Sequence, residues 1–252
     1  MTTIIGVTGY NKKAEKYVLF ASDSQASEFG KDDRLTGCRY NAKKIFTNLT
    51  ESMMFAYAGD VIFPPKKNEN PKLREETQKL ISLEKSPTWV IRSSFDELNR
   101  IKKNQYLFAN QSDLMLHSYN VSPFGVESNL SYEGAGSGYE KIPPTLKKIN
   151  PESPWGHEMG IQISDVGKGR FQNVLRESFG IILEAAKSDE FTGGHFDFGL
   201  ITGNGVFIKR NFAELDNKKN PDELFTKGVK KVLGDYFAIS RKIKSIDDLV
   251  LS

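Results

Sequence analysis

Strand-like and helix-like segments follow one another in blocks along this chain, and their order leaves few architectures open. Thr2–Gly9 is rich in Thr, Ile and Val, Asn11-Lys12-Lys13 supplies a turn, and Tyr17–Ser24 is a second apolar run. Together they predict a hairpin. A polar, irregular stretch from Glu28 to Asn41 follows, after which Lys44–Asn48 and Ser52–Gly59 predict another strand pair, closed by Pro64-Pro65. The middle is helical. Pro71 suits a first helical turn, where its missing N–H costs nothing, and Leu73, Leu80 and Ile81 share one face. Ser86-Pro87 interrupts, and Ile91, Phe95 and Leu98 resume at i, i+4, i+7. Strand character returns around Asp113–Asn120 and Leu130–Glu133. The clearest helix runs from about Phe171 to Lys187, with Phe171, Val174, Leu175, Phe179, Ile182, Leu183 and Ala186 in one stripe. His195–Ile201 and Val206–Arg210 face each other across Gly203-Asn204-Gly205, a strong hairpin signal.

Strands, two helices, strands, one or two helices and strands again lack the βαβ regularity of a parallel sheet. They predict an α+β fold, a four-layer αββα sandwich of two antiparallel sheets flanked by helices. No internal repeat or low-complexity segment divides the chain. Residues 2–252 read as one domain, with an atypical segment at 139–170 and a charged C-terminal extension after about 211.

Composition narrows the function. The 252 residues carry 35 Lys+Arg against 32 Asp+Glu, a net charge of +3 with no dense basic stripe, so nucleic acid is not expected as a partner. The pairs Lys230-Lys231 and Arg241-Lys242 read as a solvated helix face. The longest apolar runs, Tyr17–Ala21 and Met53–Ala58, are strand-sized, far short of the ~20 residues a membrane span needs. Met1-Thr2-Thr3-Ile4-Ile5-Gly6-Val7 has neither a basic leader nor a long apolar segment, so no secretory signal is read there. The single Cys38 excludes an internal disulfide and a cysteine-built metal site, and His117, His157 and His195 are scattered. A cytoplasmic protein with no metal and no cofactor is the expectation. Gly167-Lys168 lacks the rest of a phosphate loop, Gly134–Gly138 lacks the dinucleotide pattern, and the sequon Asn48-Leu49-Thr50 means nothing without secretion.

The chemistry begins at Thr2. Methionine removal is favoured before a small residue, and it would leave Thr2 with a free α-amine beside its own hydroxyl. A threonine hydroxyl is a poor nucleophile without an adjacent base. An α-amine, with an ordinary pKa of roughly 7.7–8.0, can be that base near neutral pH. Four further segments fall in order behind it: Ala21-Ser22-Asp23-Ser24-Gln25-Ala26-Ser27, Lys43-Lys44-Ile45, Gly134-Ala135-Gly136-Ser137-Gly138 and Asp189-Glu190-Phe191-Thr192-Gly193-Gly194. Each alone has an ordinary reading as a strand end, a surface cation, a tight turn or a helix C-cap. Their order and spacing together do not.

This constellation resembles the β-type subunits of the proteasome family, N-terminal-nucleophile hydrolases that include bacterial HslV. The family's Thr-Thr-x-x-Gly start is matched by Thr2-Thr3-Ile4-Ile5-Gly6. Its Ala-x-Asp-x-x-Ala-Thr strand end is matched at 21–27, its Lys-Lys-apolar step at 43–45, its Gly-Ser-Gly loop at 136–138 and its Asp-x-x-Ser-Gly-Gly at 189–194. The likeness spans roughly residues 2–210. It implies that Thr2 is the nucleophile with its amine as base, and that Lys44 sits beside the hydroxyl, held by Asp23. Ser137, Asp189 and Thr192 would surround the amine, and Ser27 and Ala56 would bind substrate. Ala56 stands where the family's oxyanion glycine is customary, Thr192 replaces a serine, and the first hairpin is several residues longer. Pro143-Pro144, Pro151 and Pro154 interrupt the helix expected after Gly138.

The resemblance implies a proteasome-like N-terminal threonine endopeptidase acting on polypeptides through an acyl-enzyme. It further implies a homo-oligomer, with ring closure open because of those prolines, and an unfoldase partner. Two alternatives share the fold: an amide hydrolase or transpeptidase/ligase in which a second amine resolves the ester, and a catalytically inactive structural subunit.

Overall fold

The computed structural model describes residues 2–10, 16–29, 34–60, 62, 70–84, 86–119, 126–130, 132–142 and 170–215. The first strands are β1 (Ile4–Tyr10), β2 (Lys16–Asp23), β3 (Ala26–Phe29), β4 (Leu35–Arg39), β5 (Ile45–Thr47) and β6 (Met53–Gly59). Helices α1 (Pro71–Ser82) and α2 (Thr88–Ile101) follow, then β7 (Asn104–Asn110), β8 (Leu116–Tyr119), β9 (Val126–Leu130) and β10 (Tyr132–Ala135). A short helix α3 (Ser137–Lys141), a long helix α4 (Arg170–Ser188) and the hairpin β11 (His195–Thr202) and β12 (Gly205–Glu214) complete the described chain.

The strands form two five-stranded sheets, ordered β10-β1-β2-β11-β12 and β5-β6-β7-β8-β9, and a two-stranded ribbon β3-β4. Every pairing is antiparallel. Mixed α/β structure with antiparallel sheets is thus what the chain adopts. The two-residue period of the central strands sorts their side chains between two apolar layers. Tyr17, Leu19 and Ala21 of β2 pack with Leu175, Phe179 and Ile182 of α4, whereas Val18 and Phe20 point to the second sheet. On that sheet Met54, Ala56, Leu107 and Ala109 face the first, while Phe55, Tyr57, Tyr106 and Phe108 face Leu73, Leu80, Ile91, Phe95 and Leu98 of α1 and α2. Both faces of β2 and β6 are covered, which is why they read as unbroken apolar runs.

The helices begin and end for local reasons. Asn70 caps α1 by accepting the Lys72 N–H at 2.9 Å, with Pro71 in the first turn. Helix α3 stops at Lys141 because Ile142, extended at φ −68° and ψ 133°, precedes Pro143, whose ring disfavours a helical neighbour. In α4, Val174, Leu175, Phe179, Ile182 and Leu183 are buried as the stripe requires.

Several expectations need correction. The stretch from Glu28 to Asn41 is not irregular: β3 and β4 pair across it, Ala26 opposite Arg39 and Ser27 opposite Cys38. Strand β7, the centre of the second sheet, shows no alternation in sequence because both its faces are covered. Strand β9 meets the expected Leu130–Glu133 segment only at Leu130, and Gly134–Gly138 is a strand end running into a helix rather than a plain loop. The last strand runs to Glu214, with Leu215 buried, so the folded core extends past 211. Pro64-Pro65, most of the 139–170 segment and the chain after Leu215 lie outside the described residues.

Register places the site. Ile4 stands opposite Ser22 on one side and Ala135 on the other, so Thr2 and Thr3 emerge between Asp23, where β2 ends, and Gly136, which follows β10. Asp23 is also paired with Phe196 of β11, which brings the loop after α4 to the same place.

Candidate active site

Thr2, Asp23 and Lys44 form one buried cluster, with solvent exposures of 0%, 0% and 2%. The Thr2 hydroxyl donates to Asp23 Oδ1 at 2.5 Å and receives a hydrogen bond from Lys44 Nζ, which also donates to Asp23 Oδ1 at 2.8 Å. Asp23 is saturated. Its Oδ1 additionally takes the Thr3 N–H at 2.9 Å, and its Oδ2 takes the backbone N–H groups of Gln25 and Gly193, each at 3.1 Å. Five donors converge on one carboxylate, and the ion pair to Lys44 is the charged member of the set.

Lys44 is held from its backbone. It lies directly before β5, its carbonyl accepts the Tyr57 N–H at 3.1 Å, and the Lys43 carbonyl accepts the Tyr57 hydroxyl at 3.1 Å. Burial lowers the Lys44 pKa below that of an ordinary lysine, while Asp23, and more weakly Asp197 and Asp189, work in the opposite direction.

A second cluster lies on the other side of the Thr2-Thr3 backbone. Asp189, almost wholly buried, follows α4 with its N–H still bonded to the Ala185 carbonyl at 2.8 Å. Its Oδ2 accepts from Ser137 Oγ at 2.8 Å and Thr192 Oγ1 at 2.9 Å, and its Oδ1 accepts from Lys141 Nζ at 2.6 Å. Burial disfavours this carboxylate's charge, but the hydrogen bonds from Lys141, Ser137 and Thr192 outweigh it and hold Asp189 below the usual carboxylate range. Thr3 joins the two clusters, its N–H bonded to Asp23 and its hydroxyl 2.9 Å from that of Thr192.

The glycines around Ser137 are there for space. A Cβ on Gly136, which sits at φ +99°, would lie 1.9 Å from the Thr2 carbonyl oxygen. One on Gly138 would lie 2.2 Å from Thr3 Oγ1 and 2.3 Å from Thr192 Oγ1. The Gly136 N–H is taken by Gln105 Oε1 at 2.8 Å.

Of the expected site residues, Thr2, Asp23 and Lys44 meet directly, and Ser137, Asp189 and Thr192 meet one hydrogen bond from Thr3. Ser27 lies in β3, 3.4 Å from the Gln25 amide that also donates to the Glu190 carbonyl, so it belongs to the rim beside the 189–194 loop. Ala56 is fully buried between the sheets, opposite Ile45 and Leu107 and paired on both edges. Ala58, two residues further on, is the β6 side chain that packs beside Gly136. Sequence reasoning gives no part to Thr3, Lys141 or Gln105. Thr3 belongs to the Thr-Thr start of the first motif, and Lys141 lies four residues after Ser137, one helical turn on.

Among the described residues no group of three or more His, Cys, Asp or Glu is arranged to hold a metal ion, and no helix is long and apolar enough to cross a membrane. No family model and no curated protein matches the chain.

Proposed function

We propose that this protein is a threonine-type peptide hydrolase of the N-terminal-nucleophile kind, activated by cleavage of the chain ahead of Thr2. The observation that carries the reading is the buried Thr2 hydroxyl held between the Asp23 carboxylate and the Lys44 ammonium. The order of apolar layers, with α1 and α2 outside one sheet and α3 and α4 outside the other, supports assignment to the four-layer αββα sandwich of that family.

In the proposed reaction the freed Thr2 amine takes the hydroxyl proton as Oγ1 attacks the substrate carbonyl. The leaving amine departs with that proton, and water, deprotonated by the same amine, opens the ester. Lys44 stabilises negative charge developing on Oγ1, in a setting where burial makes such a charge effective. Asp23 keeps Lys44 in place and Ser137, Asp189 and Thr192 set the surroundings of the amine. An oxyanion donor would come from the backbone where β6 ends, near Ala58, rather than from Ala56. Polypeptide is the proposed substrate class. Assembly into a homo-oligomer, and an unfoldase to feed it, belong to the same proposal, which light scattering tests through a mass that is a multiple of the single chain.

The decisive test uses a β-lactone, whose ring ester is cleaved as Thr2 Oγ1 becomes acylated and the ring oxygen leaves with the proton. The processed chain is expected to gain the reagent's full mass on Thr2. Labelling elsewhere, or persistence of labelling in Thr2→Ala, overturns the assignment. Thr2 is inaccessible to solvent in the intact chain, and the chain that still carries Met1 is expected to stay unlabelled.

A further inference from the structure

Among the described residues Lys141 is the one cation in contact with Asp189, and none of the chemistry above uses it. Its Nζ donates to Oδ1 at 2.6 Å, while Ser137 and Thr192 both occupy Oδ2. The two ends of this ion pair live in different media. The Asp189 side chain is fully buried, whereas the Lys141 side chain is 45% exposed and passes over the Phe191 ring, 5.5 Å from its centroid. Lys141 and Ser137 are one helical turn apart on α3, so the helix delivers a neutral and a charged donor to the two oxygens of one carboxylate.

Among the described residues Lys44, ahead of β5, also acts electrostatically on Asp189 but is paired with Asp23 at the end of β2, and Glu190, next in sequence, is exposed. Without Lys141, Asp189 would be an unbalanced buried anion one hydroxyl away from Thr3. An anion there favours the protonated form of a nearby amine, and an amine that holds its proton is no base.

We infer that Lys141 is a positioning residue that sets the pH at which the Thr2 amine becomes a base, by balancing the charge of Asp189 from the solvent side. The inference rests on the threonine-nucleophile reading and deepens it into a statement about how that site is regulated. Removing the charge leaves Asp189, still hydrogen-bonded by Ser137 and Thr192, as an uncompensated anion that raises the amine's affinity for its proton. That moves the acid limb of reactivity to higher pH. The exposed ammonium is also the point at which the surroundings can act on the buried site, since salt screens an exposed charge and leaves the buried Lys44–Asp23 pair little affected.

The test follows β-lactone acylation of the processed chain across pH 5 to 9 in wild type, K141M and K141R. Methionine keeps the apolar stem against Phe191 and deletes the charge, whereas arginine keeps the charge. K141M is expected to shift the acid limb upward by about one pH unit with the plateau rate retained. K141R is expected to restore the wild-type limb. A K141M profile that superimposes on wild type overturns the inference and leaves the nucleophile assignment standing. An equal shift in K141M and K141R also overturns it, because a geometric role would be lost in both. Absence of labelling in wild type at every pH refutes the nucleophile itself, and the inference falls with it.

Discussion

The buried pair of Asp23 and Lys44 predicts an asymmetry in stability that ion-pair distance alone would not. Among the described residues Lys44, 2% exposed, has one anion in contact, while Asp23, 0% exposed, accepts from five donors. In Asp23→Asn the ammonium keeps its burial and loses its counter-charge, and the new amide NH2 confronts donors on whichever side it takes. Breaking a buried pair in this way costs about 3–5 kcal/mol. Lys44 has an escape, since it can lose its proton. At pH 7 that costs about 4.6 kcal/mol relative to an ordinary lysine, which caps the charge contribution inside the same range. In Lys44→Met the carboxylate keeps three backbone N–H groups and the Thr2 hydroxyl, so both its oxygens remain hydrogen-bonded. A loss of about 1–2 kcal/mol is expected there.

Urea unfolding at pH 7, with the slope checked for constancy, measures both. Asp23→Asn should be the less stable variant by at least about 1.5 kcal/mol. Both should lose β-lactone labelling, Lys44→Met while still folded. Equal losses, or Lys44→Met as the weaker protein, would refute the claim that the backbone amides rather than the ammonium satisfy the buried Asp23 carboxylate.

Three further outcomes follow from named contacts. Gly138→Ala puts a Cβ about 1 Å too close to the hydroxyls of Thr3 and Thr192; urea melts should show a loss of about 1–3 kcal/mol, with acylation slowed roughly 100-fold, whereas unchanged kinetics would detach that hydroxyl pair from the chemistry. Arg210 bonds the buried Asp197 at 3.1 Å and also donates to the Ile45 carbonyl, joining the edge strands β12 and β5 just beyond Lys44. Arg210→Met should cost about 1–3 kcal/mol at pH 7, and Asp197→Asn in the same chain should recover part of it. Burial already raises the Asp197 pKa, so the Arg210→Met penalty should shrink in acid, where a protonated Asp197 needs no counter-charge. Finally, the folded pKa of Lys44 lies below its unfolded value, so the unfolded chain binds more protons between the two. The stability of wild type relative to Lys44→Met should therefore rise with pH through that window, up to about 10.4, and a difference that falls with pH would reverse the sign assigned to burial.

What the sequence discloses and what it hides divide along physical lines. Helices α1, α2 and α4 are legible because each buries one face only, so Leu73 and Leu80, Ile91, Phe95 and Leu98, and the Val174–Leu183 stripe keep a helical period. Strand β7 is illegible by the same test. Tyr106 and Phe108 pack on α2 while Leu107 and Ala109 pack between the sheets, so its four central positions are all apolar or aromatic and no period survives. The β3–β4 ribbon fails for the opposite reason: it packs few side chains on either face and presents a polar sequence, its pairing being fixed by backbone bonds that leave no trace in composition. Asp23, Lys44, Ser137 and Asp189 stand out because each lies at or beside the end of an element, where a charged or hydroxyl residue beside an apolar run is conspicuous. Lys141 ends an element too, but no apolar run precedes it, so it reads as an ordinary surface lysine. With Gly134–Gly138 taken as a loop, nothing sets Lys141 one turn from Ser137. Only when Ser137 begins a helix do the two donors share a face, and only when α4 delivers Asp189 to that face does an unremarkable surface lysine acquire a buried partner. The residue that would govern the site's pH response is therefore one that no motif could have named, because its role is created by the packing of α3 against the end of α4.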